Sequence, residues 1–537
     1  MAPSPVILNG AELSVPDVEQ VARGERDAIL ADDARERVAG AHAVIERLVD
    51  AGEVVYGVTT GFGALASKFV PPERTRELQE RLLLSHAAGV GQPLPTEIVR
   101  AMLLLRANTL ALGHSGCRVE LIERLLQLLR RRIHPIVPAQ GSVGASGDLA
   151  PLAHLALPLI GHGQVEVDGR VTAAHAALAE AGLEPLVLAP KEGLALLNGT
   201  QMMSAIGALV LARADRLART ASVAAAISVE ALRGTEVAFS SALQSTRPHP
   251  GQVRTAAELR WLLRDSGIQR AHHGDDHRVQ DPYSLRCVPQ VHGAARDAFD
   301  QLRRVLDIEL NSATDNPLVF PQGGEVPADA LATGRGLVIS GGNFHGEPVA
   351  LALDYAKLAL AELGAISERR VALLLDPRLN DGLPAFLGAS AGLDSGLMIL
   401  QYTAAALASE SKTLAHPASA DSIPTSANQE DHVSMGSIAA RHAWTVLEHT
   451  ERIVAIELIC ATQGLDLRLD LHPGTEPGAG VAEARERVRA VIARLERDRE
   501  PGPDLEAAYR LVHAGSLADL ADTPPAVSTS WLGPDPR

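Results

Sequence analysis

The helical spacing of apolar residues constrains this chain most strongly, because it continues along almost the whole length of 537 residues. In Asp32–Ala51, apolar side chains recur every three or four positions until Gly52, a residue type that favours helix C-termini. The clearest strand signal is Val165–Val171, where alternation around Asp168-Gly169 predicts a hairpin. Further helices are predicted at Glu97–Ala111, Val119–Arg132, Met202–Leu232, Ala294–Asn311, Gly346–Leu375, Gly396–Leu414 and Ile438–Ala461.

Composition agrees with helices rather than sheets. Aromatic residues make up 3% of the chain, so the core must rely on Ala, Leu and Val, which suit closely packed helices. We therefore expect a mainly α fold with a large central antiparallel helical bundle and a smaller, loop-rich N-terminal head. The predicted parts are an N-terminal part at 5–205, the bundle at 206–475 and a C-terminal segment at 476–537. We expect Pro473–Gly478 to be a linker and Thr523–Arg537 to be a loosely ordered tail.

Charge and cysteine content exclude several classes of partner. The net charge of -16 argues against nucleic acid and against anionic membranes. The most apolar stretch, Ala205–Leu232, is interrupted by charged side chains, so it predicts a helix buried in protein. Three scattered cysteines, Cys117, Cys287 and Cys460, support no disulfide framework. Because the N-terminus also lacks the pattern of a secretory signal, we expect a cytoplasmic location.

The tripeptide Ala145-Ser146-Gly147 has unusual chemical potential. In a sufficiently tight bend, the amide nitrogen of Gly147 can attack the carbonyl carbon of Ala145, because glycine has no Cβ to block the approach. Loss of two waters, one of them from Ser146, would then leave an electrophilic methylene on a five-membered imidazolone ring. By itself, the run is also typical of a Gly-rich loop that leads into a helix.

Two further loops carry groups suited to acid–base chemistry and to anion binding. Tyr56 lies in a loop with three glycines and could act as a base if donors or cations stabilise its phenolate. Arg286 could bind a carboxylate with both arms of its guanidinium group, or it could form a structural ion pair. Asn198 could hydrogen-bond an amino or carboxylate group, although Asn-Gly is also a turn signal.

Imidazole and carboxylate groups occur in two other loops, at His86 and at Gln429-Glu430. Each is also compatible with an ordinary helix end or a solvated surface. Histidines and aspartates also cluster in one polar loop without ligand spacing, so no metal site is predicted there. That cluster consists of His272, His273, Asp275, Asp276 and His277.

Together these segments resemble the aromatic amino acid ammonia-lyase family, and within it the members that act on histidine. The similarity extends from about Val54 to about Leu465. Its motifs follow one another at Tyr56–Gly63, Ser85–Gly91, Gly141–Pro151, Gly193–Gln201, Gln280–Gln290, Glu309–Pro317, Gly341–Pro348 and Pro417–Gly436.

The resemblance implies an aspartase/fumarase-like architecture and a self-made cofactor. Ala145-Ser146-Gly147 would close into the methylidene-imidazolone (MIO) electrophile of the family, so no external cofactor is expected. The substrate amine would add to it, Tyr56 would remove a β-proton, and ammonia would leave an α,β-unsaturated acid. The family also implies a homotetramer with active sites shared between subunits and a small amino acid as substrate.

The same resemblance assigns roles to residues elsewhere in the chain. Arg286 would hold the substrate carboxylate, and Phe344 would pack near the MIO ring. Asn198, Gln280 and Tyr283 would orient the amine and the electrophile, with Tyr283 counted among the catalytic residues.

Substrate choice depends mainly on His86 and Glu430, with Gln429 as a further substrate-binding residue. A carboxylate facing a phenyl ring would be buried and unpaired at a cost of about 1 to 3 kcal/mol, whereas an imidazole N–H would satisfy it. This favours L-histidine, converted to trans-urocanate and ammonia in the first step of histidine degradation.

Three alternatives to histidine deamination remain open. Thr59 resembles some tyrosine 2,3-aminomutases, and His86 could also pair with a tyrosine hydroxyl. A tyrosine or phenylalanine ammonia-lyase, or a 2,3-aminomutase, would use the same electrophile and the same base. The remaining alternative is a helical scaffold that has kept the fold without the chemistry, although Ser146 and Arg286 are both intact.

Overall fold

The computed structural model describes residues 3–61, 63–65, 67–272, 278–321, 338–390 and 392–523. Helices dominate these residues, so the mainly α fold is confirmed. The α-helices are Val15–Ala22, Asp32–Asp50, Thr75–His86, Thr96–Ala111, Val119–Arg130, Leu149–Ala156, Ala174–Glu180, Glu192–Leu197, Gln201–Ala231, Ser241–Ser245, Pro250–Leu262, Gly267–His272, Tyr283–Arg286, Val288–Glu309, Glu347–Leu375, Met398–Leu414, Gly436–Leu471, Ala479–Arg489 and Gly502–Ala514.

Within the described residues, the strands are short and form four small sheets. Val6–Leu8 pairs in parallel with Ala28–Leu30, while the other pairings are antiparallel. The antiparallel sheets consist of Val90–Pro93 with Pro138–Gln140, of His134–Pro135 with Gln164–Val167 and Arg170–Ala173, and of Leu318–Val319 with Val338–Ile339. The predicted hairpin is confirmed, and both of its turn residues, Asp168 and Gly169, have positive φ.

Two helices end at positions that differ from the predicted ones. One ends before a residue with left-handed backbone angles, and the other continues through buried charged residues. The helix from Val119 ends at Arg130 rather than Arg132, because Arg132 has a left-handed φ of 54°. The last long helix continues to Leu471 rather than Ala461, because Asp466 and Arg468 are buried with ionic partners. Charged residues of a buried ion pair interrupt the apolar spacing of a helix face, so the spacing alone does not predict the full length of the helix.

The first compact unit comprises Met1–Ala212, Leu302–Asp354 and Pro417–Arg441. Its helix Thr96–Ala111 is buried at nearly every position. In the same unit, Thr200, directly before the helix Gln201–Ala231, hydrogen-bonds Glu309, and Gly207 lies against Leu306. The helices Gln201–Ala231 and Val288–Glu309 therefore run antiparallel.

The second compact unit comprises Arg213–Gln301, Tyr355–His416 and His442–Arg537. Thr450 donates to the carbonyl of Leu360 at 3.0 Å, and Arg370 pairs with Glu457. The helices that contain these residues, Glu347–Leu375 and Gly436–Leu471, therefore run in the same direction. A second pairing is antiparallel, since Arg485 contacts Asp466 whereas Arg489, further along, contacts both Asp466 and Gln463. The unit therefore contains both directions of helix pairing.

Several predictions concern segments with little described structure. His273, Asp275, Asp276 and His277 of the polar loop lie outside the described residues, as does the predicted tail beyond Thr523. Pro473–Gly478 leaves the helix and is anchored, since the amide of Gly478 donates to Glu230 at 2.9 Å. The part boundaries at 205/206 and 475/476 remain predictions. Among the described residues, no helix combines the length and apolar character needed to cross a membrane.

Candidate active site

The tripeptide Ala145-Ser146-Gly147 forms a tight turn. The backbone of Gly144 pairs with that of Gly147, which closes the turn, and both glycines have positive φ, 71° and 75°. A Cβ at position 147 would lie 2.0 Å from the carbonyl oxygen of Gly199, so no larger residue fits. Ala145 packs with Val433 and Met435. The bend that the sequence requires for ring closure is therefore accompanied by a close backbone approach at Gly147.

Asp148, directly after the turn, connects it to the start of a long helix. Its carboxylate is fully buried, accepts from the amides of Met202 and Met203 at 2.9 and 3.1 Å, and accepts from the hydroxyl of Ser437 at 2.8 Å. These amides belong to the first turn of Gln201–Ala231, where N–H groups lack helical partners. Burial nevertheless raises the pKa of Asp148 to about 6.

The Asn198-Gly199 segment lies against the turn. The amide of Asp148 donates to the carbonyl of Gly199 at 2.7 Å. Arg106, fully buried, donates to the carbonyl of Asn198 at 2.5 Å and to Gln201 at 2.9 Å. Burial lowers the pKa of Arg106 to about 10. Asn198 is thus held by its backbone, which leaves its side chain to face a cavity.

The loop of Tyr56 is built around internal hydrogen bonds. The amide of Gly63 donates to the phenolic oxygen of Tyr56 at 3.3 Å. Thr59 is fully buried, and its hydroxyl accepts from the amide of Val55 and donates to the carbonyl of Glu53. Thr59 therefore stabilises the loop, and it is not among the residues that line the cavity.

The hydrogen-bond partners of His86 show which ring nitrogen carries the proton when the ring is neutral. Its Nδ1 lies 2.9 Å from the carbonyl oxygen of Leu82 and 3.1 Å from the hydroxyl of Ser85. A carbonyl oxygen can only accept, so Nδ1 carries the proton in this geometry. The neutral ring then presents Nε2 as an acceptor.

Glu430 is held at both carboxylate oxygens. Oε1 accepts from Ser146 at 3.2 Å, and Oε2 accepts from Thr425 at 2.6 Å. Backbone hydrogen bonds between Thr425 and Glu430 close the loop between them. Within it, Ser426, Ala427 and Asn428 all have left-handed φ values of 50° to 66°, a costly conformation for residues with a Cβ.

A cavity of about 370 Å³ brings five predicted site residues together. These are Tyr56, His86, Ser146, Asn198 and Glu430. The remaining wall comprises Gly61, Gly63, Leu65, Leu78, Arg81, Leu82, Ser85, Leu149, Leu194, Leu197 and Ser426. Most of this remaining lining is apolar, with Arg81, Ser85 and Ser426 as the exceptions, while a phenol, an imidazole and a carboxylate face the same space.

Sequence reasoning missed part of this wall. Leu78, Arg81, Leu82 and Ser85 lie on one face of the helix Thr75–His86. Their spacing of three and four residues, leading to His86, is the signal that could have identified them.

The predicted residues of the second unit form a separate cluster. Arg286 donates to the side-chain oxygen of Gln280 at 2.9 Å and to the carbonyl of Asp281 at 3.0 Å, and its guanidinium lies 4.6 Å from the centre of the Tyr283 ring. Tyr283 is 70% exposed and lines a cavity of about 740 Å³ that also includes Arg369.

Two further predicted residues of the first unit, Phe344 and Gln429, are also absent from the lining of the 370 Å³ cavity. Gln429 is exposed, and its amide donates to the carbonyl of Ser426 at 3.0 Å. Phe344 is half-buried in the segment before the helix Glu347–Leu375. The roles assigned to both remain predictions.

Known proteins resemble this chain over nearly its full length. The model of the aromatic amino acid lyase family matches residues 13–490. The histidine ammonia-lyase of Gloeobacter violaceus is 51% identical over 517 residues, which cover 96% of this chain and 97% of that relative. The chain therefore belongs to the aromatic amino acid lyase family, and it is an ammonia-lyase.

Solved structures support the same fold. The histidine ammonia-lyase of Trypanosoma cruzi has a TM-score of 0.87 and 42% identity, covering 99% of each chain. The tyrosine aminomutase of Streptomyces globisporus has a TM-score of 0.88 and 38% identity, covering 96% of this chain and 98% of its own. Proteins that differ in substrate and outcome thus share this architecture.

Proposed function

We propose that this enzyme deaminates L-histidine to trans-urocanate and ammonia, as the first step of histidine degradation. The observation that carries the proposal is the carboxylate of Glu430, which lies in the cavity beside Ser146 and is hydrogen-bonded to it at 3.2 Å. An acidic group beside the reacting tripeptide suits a substrate ring that can donate a hydrogen bond.

The proposed cofactor is MIO, formed from Ala145-Ser146-Gly147 without an external group. The tight turn fits this chemistry, because Gly147 occupies a place that a Cβ would fill with a 2.0 Å contact to Gly199. When formed, MIO supplies an electrophilic methylene that takes up the substrate amine and makes it a better leaving group.

Loss of the Ser146 hydroxyl would also change Glu430. Oε1 of Glu430 would lose its donor, while Oε2 would keep the hydroxyl of Thr425. The imidazole N–H of histidine can replace the missing donor, and Nε2 of neutral His86 offers a second acceptor in the same cavity. A phenyl ring offers no N–H or O–H to either group.

Tyr56 serves as the proposed base for the β-proton. Its phenolic oxygen lies in the same cavity as Ser146 and accepts a hydrogen bond from the amide of Gly63. This places the oxygen that would take up the β-proton in the same cavity as the tripeptide. Asn198, with its backbone fixed by Arg106, would orient the amine.

Arg286 would bind the substrate carboxylate, with Gln280 and Tyr283 beside it. This cluster lies at the surface of the second unit, so we propose that it completes the cavity of another subunit in a homotetramer. Exposed apolar pairs support assembly, namely Tyr355 with Leu358 and Ile399 with Tyr402. Phe344 and Gln429 would join the site in the same assembly, and we keep a cytoplasmic location as a prediction.

A tyrosine 2,3-aminomutase is the second candidate, favoured by the structural similarity to the Streptomyces globisporus enzyme. Thr59, the residue that suggests this activity in the sequence, is buried and bonded within its own loop. It therefore gives no reason to prefer tyrosine as a substrate.

Incubation of the full chain with histidine, tyrosine and phenylalanine tests the proposal. Unsaturated acids, β-amino acids and free ammonia would be quantified separately. We expect histidine to be the preferred substrate, with urocanate and ammonia in equal amounts. Faster turnover of tyrosine, or β-amino acid without ammonia, would contradict it.

A further inference from the structure

Two histidines and one glutamate meet in the first unit, beside the proposed site. Among the described residues, His345, Glu347 and His432 form the one group whose potential ligand atoms all lie within 4.8 Å of one another. His345 precedes the helix Glu347–Leu375, and His432 lies two residues after Glu430. The rings of His345 and His432 stack with centroids 5.9 Å apart.

His345 has the protonation state of a neutral metal ligand. Its Nε2 lies 3.2 Å from the carbonyl oxygen of His432, so this nitrogen donates. Its Nδ1 accepts from the amide of Glu347 at 3.3 Å, a long contact that a cation could replace. A ligating histidine typically donates its other N–H to a carbonyl or carboxylate in this way.

Glu347 and His432 offer the other potential ligand atoms. Oε2 of Glu347 is buried and has no hydrogen-bond partner among the described residues. A carboxylate oxygen in that position is destabilising unless a donor or a cation satisfies it. His432 is exposed, so solution has access to the group and the ring has freedom to turn.

We propose that His345, Glu347 and His432 bind a divalent transition metal of the zinc class. Two imidazoles and one carboxylate are a ligand set that zinc accepts, with water at the fourth position. Ligands of tetrahedral zinc lie about 3.3 Å apart, so His432 turns inward on binding. The metal joins the loop of Glu430 to the start of the helix Glu347–Leu375 and holds that loop in place.

Calorimetric titration with ZnCl₂ tests the proposal on the full chain without a histidine tag. We expect one zinc per chain and a higher thermal unfolding midpoint, because the metal binds the folded state. His432→Gln and Glu347→Gln should each weaken zinc binding at least tenfold and abolish the rise in midpoint. His432 is exposed, so its substitution should leave the fold intact, and Co²⁺ in place of zinc gives a spectroscopic signature of the ligand set.

Three controls separate this site from other imidazoles and carboxylates. His175→Gln removes an exposed histidine elsewhere, and the double variant His273→Gln/His277→Gln removes the histidines of the polar loop. All of these should bind zinc as the unmodified chain does, whereas MgCl₂ should not bind at this site. Unchanged zinc binding by His432→Gln and Glu347→Gln, or loss of binding in a control, would overturn the proposal. Because binding is measured directly, this result is independent of the substrate.

Discussion

At the scale of single residues, Glu430 is the side chain that we propose recognises the substrate. Its carboxylate can accept a hydrogen bond from an imidazole N–H, which an apolar ring does not offer. We therefore expect Glu430→Gln to lower kcat/KM for histidine about 10- to 100-fold, the range for losing a hydrogen bond to a charged group. Steady-state kinetics with histidine and phenylalanine measure the effect.

Asp431→Asn is the matched control for this prediction. Asp431 is the exposed neighbour, it undergoes the same change of charge, and it does not line the cavity. Its histidine turnover should stay close to that of the unmodified enzyme. If Glu430→Gln reduced the turnover of histidine and phenylalanine equally, Glu430 would have no role in recognition.

Asp148 gives stability a pH dependence. Burial raises its pKa from 3.8 to about 6 in the folded state, so its contribution to stability is fully present below about pH 4 and is lost as pH rises through 6. A rise in pH from 5 to 8 should therefore lower the free energy of unfolding by about 1 kcal/mol through this group. Asp148→Asn should remove this pH-dependent loss of stability. The thermal unfolding midpoint should then fall less between pH 5 and pH 8 in the variant than in the unmodified protein. An identical fall in both proteins would mean that Asp148 does not titrate there.

Residue chemistry was the most predictable part of the site. Tyr56, His86, Ser146, Asn198 and Glu430 were all predicted from motifs, and they line one cavity. The partners of these residues could not be predicted in the same way. Leu82, for example, fixes the His86 ring through a backbone carbonyl, which any residue type would provide.

At the scale of single elements, the short segment before Glu430 is strained. Ser426, Ala427 and Asn428 are consecutive left-handed residues, and each is destabilised by its Cβ. Ala427→Gly should therefore stabilise the folded protein by about 1 kcal/mol. The thermal unfolding midpoint measures this gain.

Ala405→Gly makes the same chemical change in a regular helix. Ala405 is exposed within Met398–Leu414, so glycine there should cost about 0.5 to 1 kcal/mol. Opposite signs for the two variants are the expected result. A lower midpoint for Ala427→Gly would rule out relief of strain at that position.

Elements were predictable where apolar spacing was unbroken. Gln201–Ala231 differs from its predicted bounds by one residue at each end, and Glu347–Leu375 differs by one residue at its start. The helix Gly436–Leu471 extends ten residues further than predicted, because Asp466 and Arg468 read as polar in the sequence but are buried with partners. Such pairing depends on residues distant in the chain, which local spacing does not contain.

Assembly is the proposed source of a complete site at the scale of the whole molecule. If Tyr56 and Arg286 serve one site from different subunits, Tyr56→Phe and Arg286→Gln should each be inactive alone. Mixed tetramers assembled from equal amounts of the two variants should regain about a quarter of normal activity. In random mixtures, about a quarter of the sites receive both an intact Tyr56 and an intact Arg286. Activity after co-expression measures the recovery.

A second mixture checks that recovery comes from sharing between subunits. Tyr56 and Ser146 line the same cavity of one chain, so a mixture of Tyr56→Phe with Ser146→Ala should stay inactive. The absence of recovery in the first mixture would indicate that Arg286 serves the cavity of its own chain or has no role in the site.

We propose that Ala145-Ser146-Gly147 becomes an electrophile, and the intact mass of the purified chain shows whether it does. We expect a chain lighter than its sequence by the mass of two water molecules. Ser146→Ala and Gly147→Ala should both retain the full mass, the first because it lacks the hydroxyl and the second because of the contact with Gly199. A full-length chain of unchanged mass would contradict ring closure and, with it, the proposed catalysis.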